Sequence, residues 1–98
     1  MLALFVAVAL SSELDELKIR VGAAPRPVRE FIIRRAECNH FMGEEAYDRA
    51  RARELQKAVR KLRCGELSAD EKRIRRRFAT QQMIGELLKC TKDMVGWD

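Results

Sequence analysis

Ninety-eight residues, 47% apolar and 36% charged, bound one small domain and exclude fibrous, collagen-like and disordered chains. Aromatic residues supply only 6% of the chain and β-branched residues do not alternate, so an all-α class is expected. The net charge of +5 is concentrated in residues 49–77, where twelve Lys or Arg face four Asp or Glu, between mildly acidic flanks. A basic centre of this kind suits an acidic protein, a phosphate backbone or an anionic membrane surface, or else forms a plain solvated helix face.

The run from Met1 to Leu10 is almost wholly apolar, and its ten residues fall short of the about 20 that span a bilayer. Ala7-Val8-Ala9 has the small-x-small pattern that precedes signal-peptide cleavage, although no Lys or Arg comes before it. Residues 1–10 are therefore read as a signal-peptide remnant, with a retained apolar first helix as the alternative. Residues 11–98 are read as a single helical domain. Ser12, with Asp15 three positions on, is the expected N-cap of a helix that presents Leu14, Leu17 and Val21 and closes at Gly22.

Ala23-Ala24-Pro25-Arg26-Pro27 is a connector, because two prolines deny the chain continuous helix. The second helix carries Val28, Phe31, Ile32 and Arg35 or Ala36 on its stripe and is predicted to end near Cys38. Asn39 to Gly43 is the predicted loop, with Gly43 taking the positive φ that is cheap only for glycine. A third helix starts between Glu44 and Asp48. Its inner face is Tyr47, Ala50 or Arg51, Leu55, Ala58, Val59 and Leu62, with Asp48 paired to Arg51 on the surface.

Gly65 is the expected stop. Ser68-Ala69-Asp70-Glu71 then reads as a capping box for a fourth helix. That helix places Leu67, Ile74 and Phe78 inside and Lys72, Arg73, Arg75, Arg76 and Arg77 outside. Thr80 is expected to cap a last helix that packs Met83, Ile84, Leu87 and Leu88, while Trp97 in the tail either docks or hangs free. The expected architecture is an all-α bundle of four to five short helices, stapled by one disulfide. The expected heart of its core is Leu55, Val59, Leu62, Ile74 and Phe78, with Phe31 and Ile32 packing onto it.

Three cysteines in an exported chain mean one disulfide and one odd thiol. A straight helix from Glu44 to Arg63 would be about 30 Å long, and a disulfide needs Cα atoms within roughly 7 Å. In a simple antiparallel bundle Cys38–Cys90 is then the easier pair. Cys38–Cys64 requires the loop to double back along the third helix.

Cys38-Asn39-His40-Phe41, Gly43-Glu44-Glu45, Tyr47-Asp48-x-x-Arg51 and Leu62-x-Cys64 together resemble a family of small, uncharacterised proteobacterial secreted proteins. The similarity spans residues 28–80, and Cys90 lies outside the pattern. The resemblance implies an exported helical protein with a Cys38–Cys64 disulfide and carries no assigned activity.

His40, Phe41, Glu44, Glu45, Tyr47, Asp48 and Arg51 are the candidate binding residues. They either surround a small polar pocket walled by Tyr47 or Phe41, or merely cap the third helix. Cys38 and His40 supply only two N or S ligands and no second Cys/His cluster follows, so no metal or cofactor is expected. There is no Gly-rich phosphate loop, no Gly-x-Ser-x-Gly and no His-Glu-x-x-His, so no enzyme is expected either.

The expected function is a periplasmic or secreted protein-binding module of inhibitor or immunity type, with an acidic partner. The alternative is a cytoplasmic nucleic-acid binder that uses the basic patch Lys72, Arg73, Arg75, Arg76 and Arg77 together with Arg60, Lys61 and Arg63.

Overall fold

The computed structural model describes the backbone of residues 2–98 and the side chains of residues 12–98. It places five α-helices and no strand among them: α1 (Leu2–Ala23), α2 (Arg26–Met42), α3 (Arg49–Lys61), α4 (Leu67–Arg77) and α5 (Gln82–Cys90), with a short 3₁₀ turn at Cys64–Glu66. The all-α, disulfide-stapled bundle expected from the sequence is what forms. None of these helices is long and apolar enough to cross a membrane. The side chains of the apolar run at residues 1–10 lie outside the described residues. Ser12 falls inside α1, so the N-cap expected there does not exist.

Helix α2 is the centre of the molecule because it has the longest apolar stripe. Val28, Phe31, Ile32, Ala36 and Cys38 are all buried at helical spacing, with Arg35 among them. Pro25 precedes the helix and Pro27 sits in its first turn, where a missing N–H leaves no bond unmade. The core joins α2 to Val21 of α1 and to Ile84, Leu87 and Leu88 of α5, with Leu17, Leu67, Ile74, Phe78 and Trp97 packed around it. This corrects the expected core. Phe31 and Ile32 are its heart, Ile74 and Phe78 are half-buried at its margin, and Leu55 is buried outside that cluster. The reason is one of supply: α3 and α4 hold too few large apolar residues to centre a core, while α2 and α5 supply six of the seven buried members of the cluster.

Three local expectations fail, and in two of them tertiary partners override local signals. Asn39 to Phe41 are helical, not loop, because the Asn39 amide donates to the Lys92 and Met94 carbonyls at 3.0 and 2.9 Å. That takes away the side chain's usual competition with its own backbone. Gly43 has φ −87°, and its need for glycine is spatial, since a Cβ there would stand 3.1 Å from the Asn39 carbonyl. Ser68 makes no capping bond, because α4 already starts at Leu67, and Glu71 is drawn to Arg35 and Arg75 instead.

The α3 stop is likewise not Gly65. The left-handed residue is Arg63, at φ 53° and ψ 48°. Such a conformation costs a non-glycine roughly 1–2 kcal/mol. It is held there by the neighbouring Cys64 disulfide and by the Arg34 guanidinium, which donates to the Leu62 and Arg63 carbonyls at 2.7 and 3.3 Å. Helix α5 follows Gln81 with no side-chain cap, so Thr80 does not cap it. Its Met83 is 72% exposed, where packing was expected. Trp97 docks on the core, its backbone N–H donating to the Glu37 carboxylate at 3.1 Å and the Gly96 N–H to the Ala36 carbonyl at 2.8 Å.

Candidate functional site

Cys38 pairs with Cys64, their Cα atoms 5.7 Å apart, and Cys90 is free and exposed. The pair implied by the resemblance is the one present, and the pair that simple bundle geometry favours is not. That geometry assumed too long a helix. Helix α3 is about 20 Å long for its 13 residues. The six-residue link at 43–48 reaches up to about 20 Å outward. Link out and helix back therefore match, and Cys64 returns to Cys38.

The link is tied down at both ends. Arg51 grips Glu44 with two N–H groups at 2.5 and 2.7 Å, and Glu54 with a third at 2.9 Å. The Glu44 carboxyl is held below its ordinary pKa chiefly by the hydrogen bond from Arg51, which outweighs the opposing effect of desolvation, with lesser help from the charges of Arg51 and His40. The Arg51 pKa is raised, first by its hydrogen bond to Glu44 and then by that to Glu54. Asp48 caps α3, its carboxylate accepting the Arg51 backbone N–H at 2.8 Å. The expected Asp48–Arg51 ion pair is thus replaced, because Asp48 caps the backbone while Glu44 takes the guanidinium.

The seven candidate residues separate into two groups. Glu44, Asp48 and Arg51 brace the link. Tyr47 (82% exposed), His40 and Glu45 face solvent, and Phe41 is half-buried with its ring edge-on to His40 at 5.1 Å. Tyr47 was expected on the inner side of α3, but α3 starts two residues later and leaves it outside. No group of three His, Cys, Asp or Glu able to hold a metal ion occurs among the described residues.

Two arginines that sequence reasoning left without a role hold α4 onto α2. Arg34 reaches Asp70 at 2.6 Å, and Arg35 reaches Glu71 at 2.9 Å, the Leu88 carbonyl at 2.6 Å and Thr91 at 3.1 Å. Arg35 is buried, its Nε has no acceptor, and its guanidinium carbon lies 5.1 Å from the centre of the Phe31 ring. Burial lowers the pKa of Arg35, with Glu71 opposing that effect. The legible signal was a cation at i+3 from Ile32 and i+4 from Phe31, on the apolar stripe itself.

Outside this frame lies the basic surface. Among the described residues no carboxylate comes within ion-pair distance of Arg49, Arg53, Lys57, Arg60, Lys61, Lys72, Arg76 or Arg77, and all eight are exposed. The patch expected on α4 is smaller than its sequence suggests, since Arg73 pairs with Asp70 and Arg75 with Glu71. The larger part lies on α3, where Arg49, Arg53 and Lys57 were passed over although their four-residue spacing is visible in the sequence. Comparison with protein-family models, with curated proteins and with solved structures returns no match.

Proposed function

We propose that this chain is an exported, non-enzymatic binding module that recognises an acidic protein partner through the outer surface of α3 and α4. The observation that carries the reading is the set of eight exposed cations with no carboxylate in ion-pair distance among the described residues, mounted on helices whose inner sides are fixed by a disulfide and by two arginine clamps, one buried and one partly buried. A surface of fixed like charge steers an oppositely charged partner and suppresses wrong ones. Tyr47, two residues before Arg49, adds another of the residue types enriched where interfaces concentrate their energy.

Export is supported by the Cys38–Cys64 bond, since such bonds persist in oxidising compartments. The resemblance to small secreted proteins and the apolar opening run point the same way. The test is fractionation of cells that express the gene product, with thiols alkylated at lysis. Protein in the periplasmic or secreted fraction with Cys38 and Cys64 protected supports the reading. Protein in the cytosol with both thiols alkylated contradicts it and gives the same surface to nucleic-acid phosphates.

A further inference from the structure

Arg49, Arg53, Lys57 and Lys61 succeed one another at four-residue spacing, and Arg60 stands beside them. At 3.6 residues per turn the five fall within about 120° of arc, and successive charges of the row lie about 6 Å apart along the helix. The opposite arc holds Leu55, Val59 and Leu62, so the row is centred on the face turned away from the domain. All five cations are exposed, and none has a carboxylate within ion-pair distance among the described residues. The only other residue within that arc is Ala50.

The helix gains little from this arrangement: Arg60 and Lys61 in its last turn suit the helix dipole, but the rest of the row works against it. Like charges four residues apart work against it. Arg49, at the first helical position, faces the positive end of the helix dipole, and α3 has no acidic residue in its first turn. A solvated surface selected for stability alternates its signs, as α4 does with Asp70 to Arg73 and Glu71 to Arg75.

We infer that the α3 row docks along an acidic α-helix of the partner, one whose Glu or Asp side chains recur at every fourth residue. This rests on the reading of the basic surface as a partner site and goes further by naming the shape of the partner. Charge complementarity fixes the sign of the occupant, and the repeat fixes its form. A helix that crosses α3 at about −50° lays its own four-residue row parallel to this one at the same spacing of about 6 Å, so successive cations meet successive carboxylates. The row holds no aromatic side chain on which a base would stack.

The test uses the full chain with its disulfide intact and fluorescence anisotropy against labelled peptides that are stapled into helices. One peptide carries Glu at every fourth position, and a second has the same composition with Glu scattered around the helix. A short DNA duplex is the third probe. The striped helix is expected to bind at least about tenfold tighter than the scattered one. The Arg53→Gln/Lys57→Gln variant is expected to lose about tenfold on the striped helix, while Arg76→Gln/Arg77→Gln, which removes the same charge from the α4 part of the surface, costs only about twofold. Circular dichroism establishes that each variant is folded.

Equal binding of striped and scattered peptides, or equal loss from the α4 variant, overturns the row while leaving an acidic partner in place. Tighter binding of the duplex than of the striped helix overturns it in favour of nucleic acid. Failure to bind any acidic probe removes the proposed function along with it.

Discussion

In α4, Asp70 and Glu71 each hold two arginines: Asp70 takes Arg34 and Arg73, and Glu71 takes Arg35 and Arg75. In α3, Glu54 serves only Arg51, which Glu44 also holds, while Arg49, Arg53, Lys57, Arg60 and Lys61 stand in solvent without a carboxylate. Both helices are short, basic and thinly apolar, yet α4's charges fasten it to α2 and α3's outer charges fasten nothing. The contrast separates charge that builds the fold from charge left over for something else. On α4 the carboxylates point inward to partly buried arginines, where desolvation makes the pairing matter. On α3 the cations lie opposite the buried arc, and among the described residues none is within ion-pair distance of a carboxylate.

The contrast breaks most severely on the α4 side. Arg35→Ala removes the buried member of the Arg35–Glu71 pair and leaves the Leu88 carbonyl and Thr91 without their donor. Removing one partner of a buried pair typically costs about 3–5 kcal/mol. A lowered urea midpoint with an unchanged slope is expected, and an unshifted midpoint would mean that α4 is held by apolar contact alone. Next in size is the disulfide that brings α3 home. Replacing both Cys38 and Cys64 by Ser should lower stability by about 2–5 kcal/mol, as is usual for small exported domains. Amide exchange would then show α3 opening before α2, and uniform opening would contradict its role as the tether of α3.

Why so much of α2 was legible and so little of α3 and α4 follows from these pairs. Val28, Phe31 and Ile32 announce their buried face by spacing alone, and the chain obeys. Arg35 lies on the same stripe, but only the fold brings Glu71 and Leu88 to it from 36 and 53 residues away. Ser68 and Glu71 spell a capping box, yet a partner outside the local sequence claims the glutamate. The site was legible in part. Glu44, Asp48 and Arg51 were grouped as binding residues and are brought together as a brace, where the fold of the short link decides that Arg51 binds Glu44. Tyr47 was misplaced because the start of α3 shifted by a few residues, and a helix face is sensitive to a shift of one.

A smaller effect sharpens the comparison at the start of α3. Asp48→Ala removes the cap on the Arg51 amide and should destabilise by about 1 kcal/mol. Ser68→Ala, by contrast, should leave the unfolding midpoint where it is, because the Ser68 side chain makes no capping bond in α4. Equal effects from the two would mean that α4 begins later than Leu67.

The smallest effect in magnitude bears most directly on the central claim that the outer charges of α3 do not serve the fold. In an Arg49→Gln/Arg53→Gln/Lys57→Gln variant, charge is removed while helix propensity is nearly conserved, since Arg, Lys and Gln rank together. Each relieved like-charge pair returns about 0.2–0.5 kcal/mol at low ionic strength. Chemical denaturation in low salt should therefore find the variant more stable than the parent. The gap should close at about 1 M salt, where screening acts within about 3 Å. A variant less stable than the parent in low salt would contradict the account, because it would show that α3's outer cations hold the domain together.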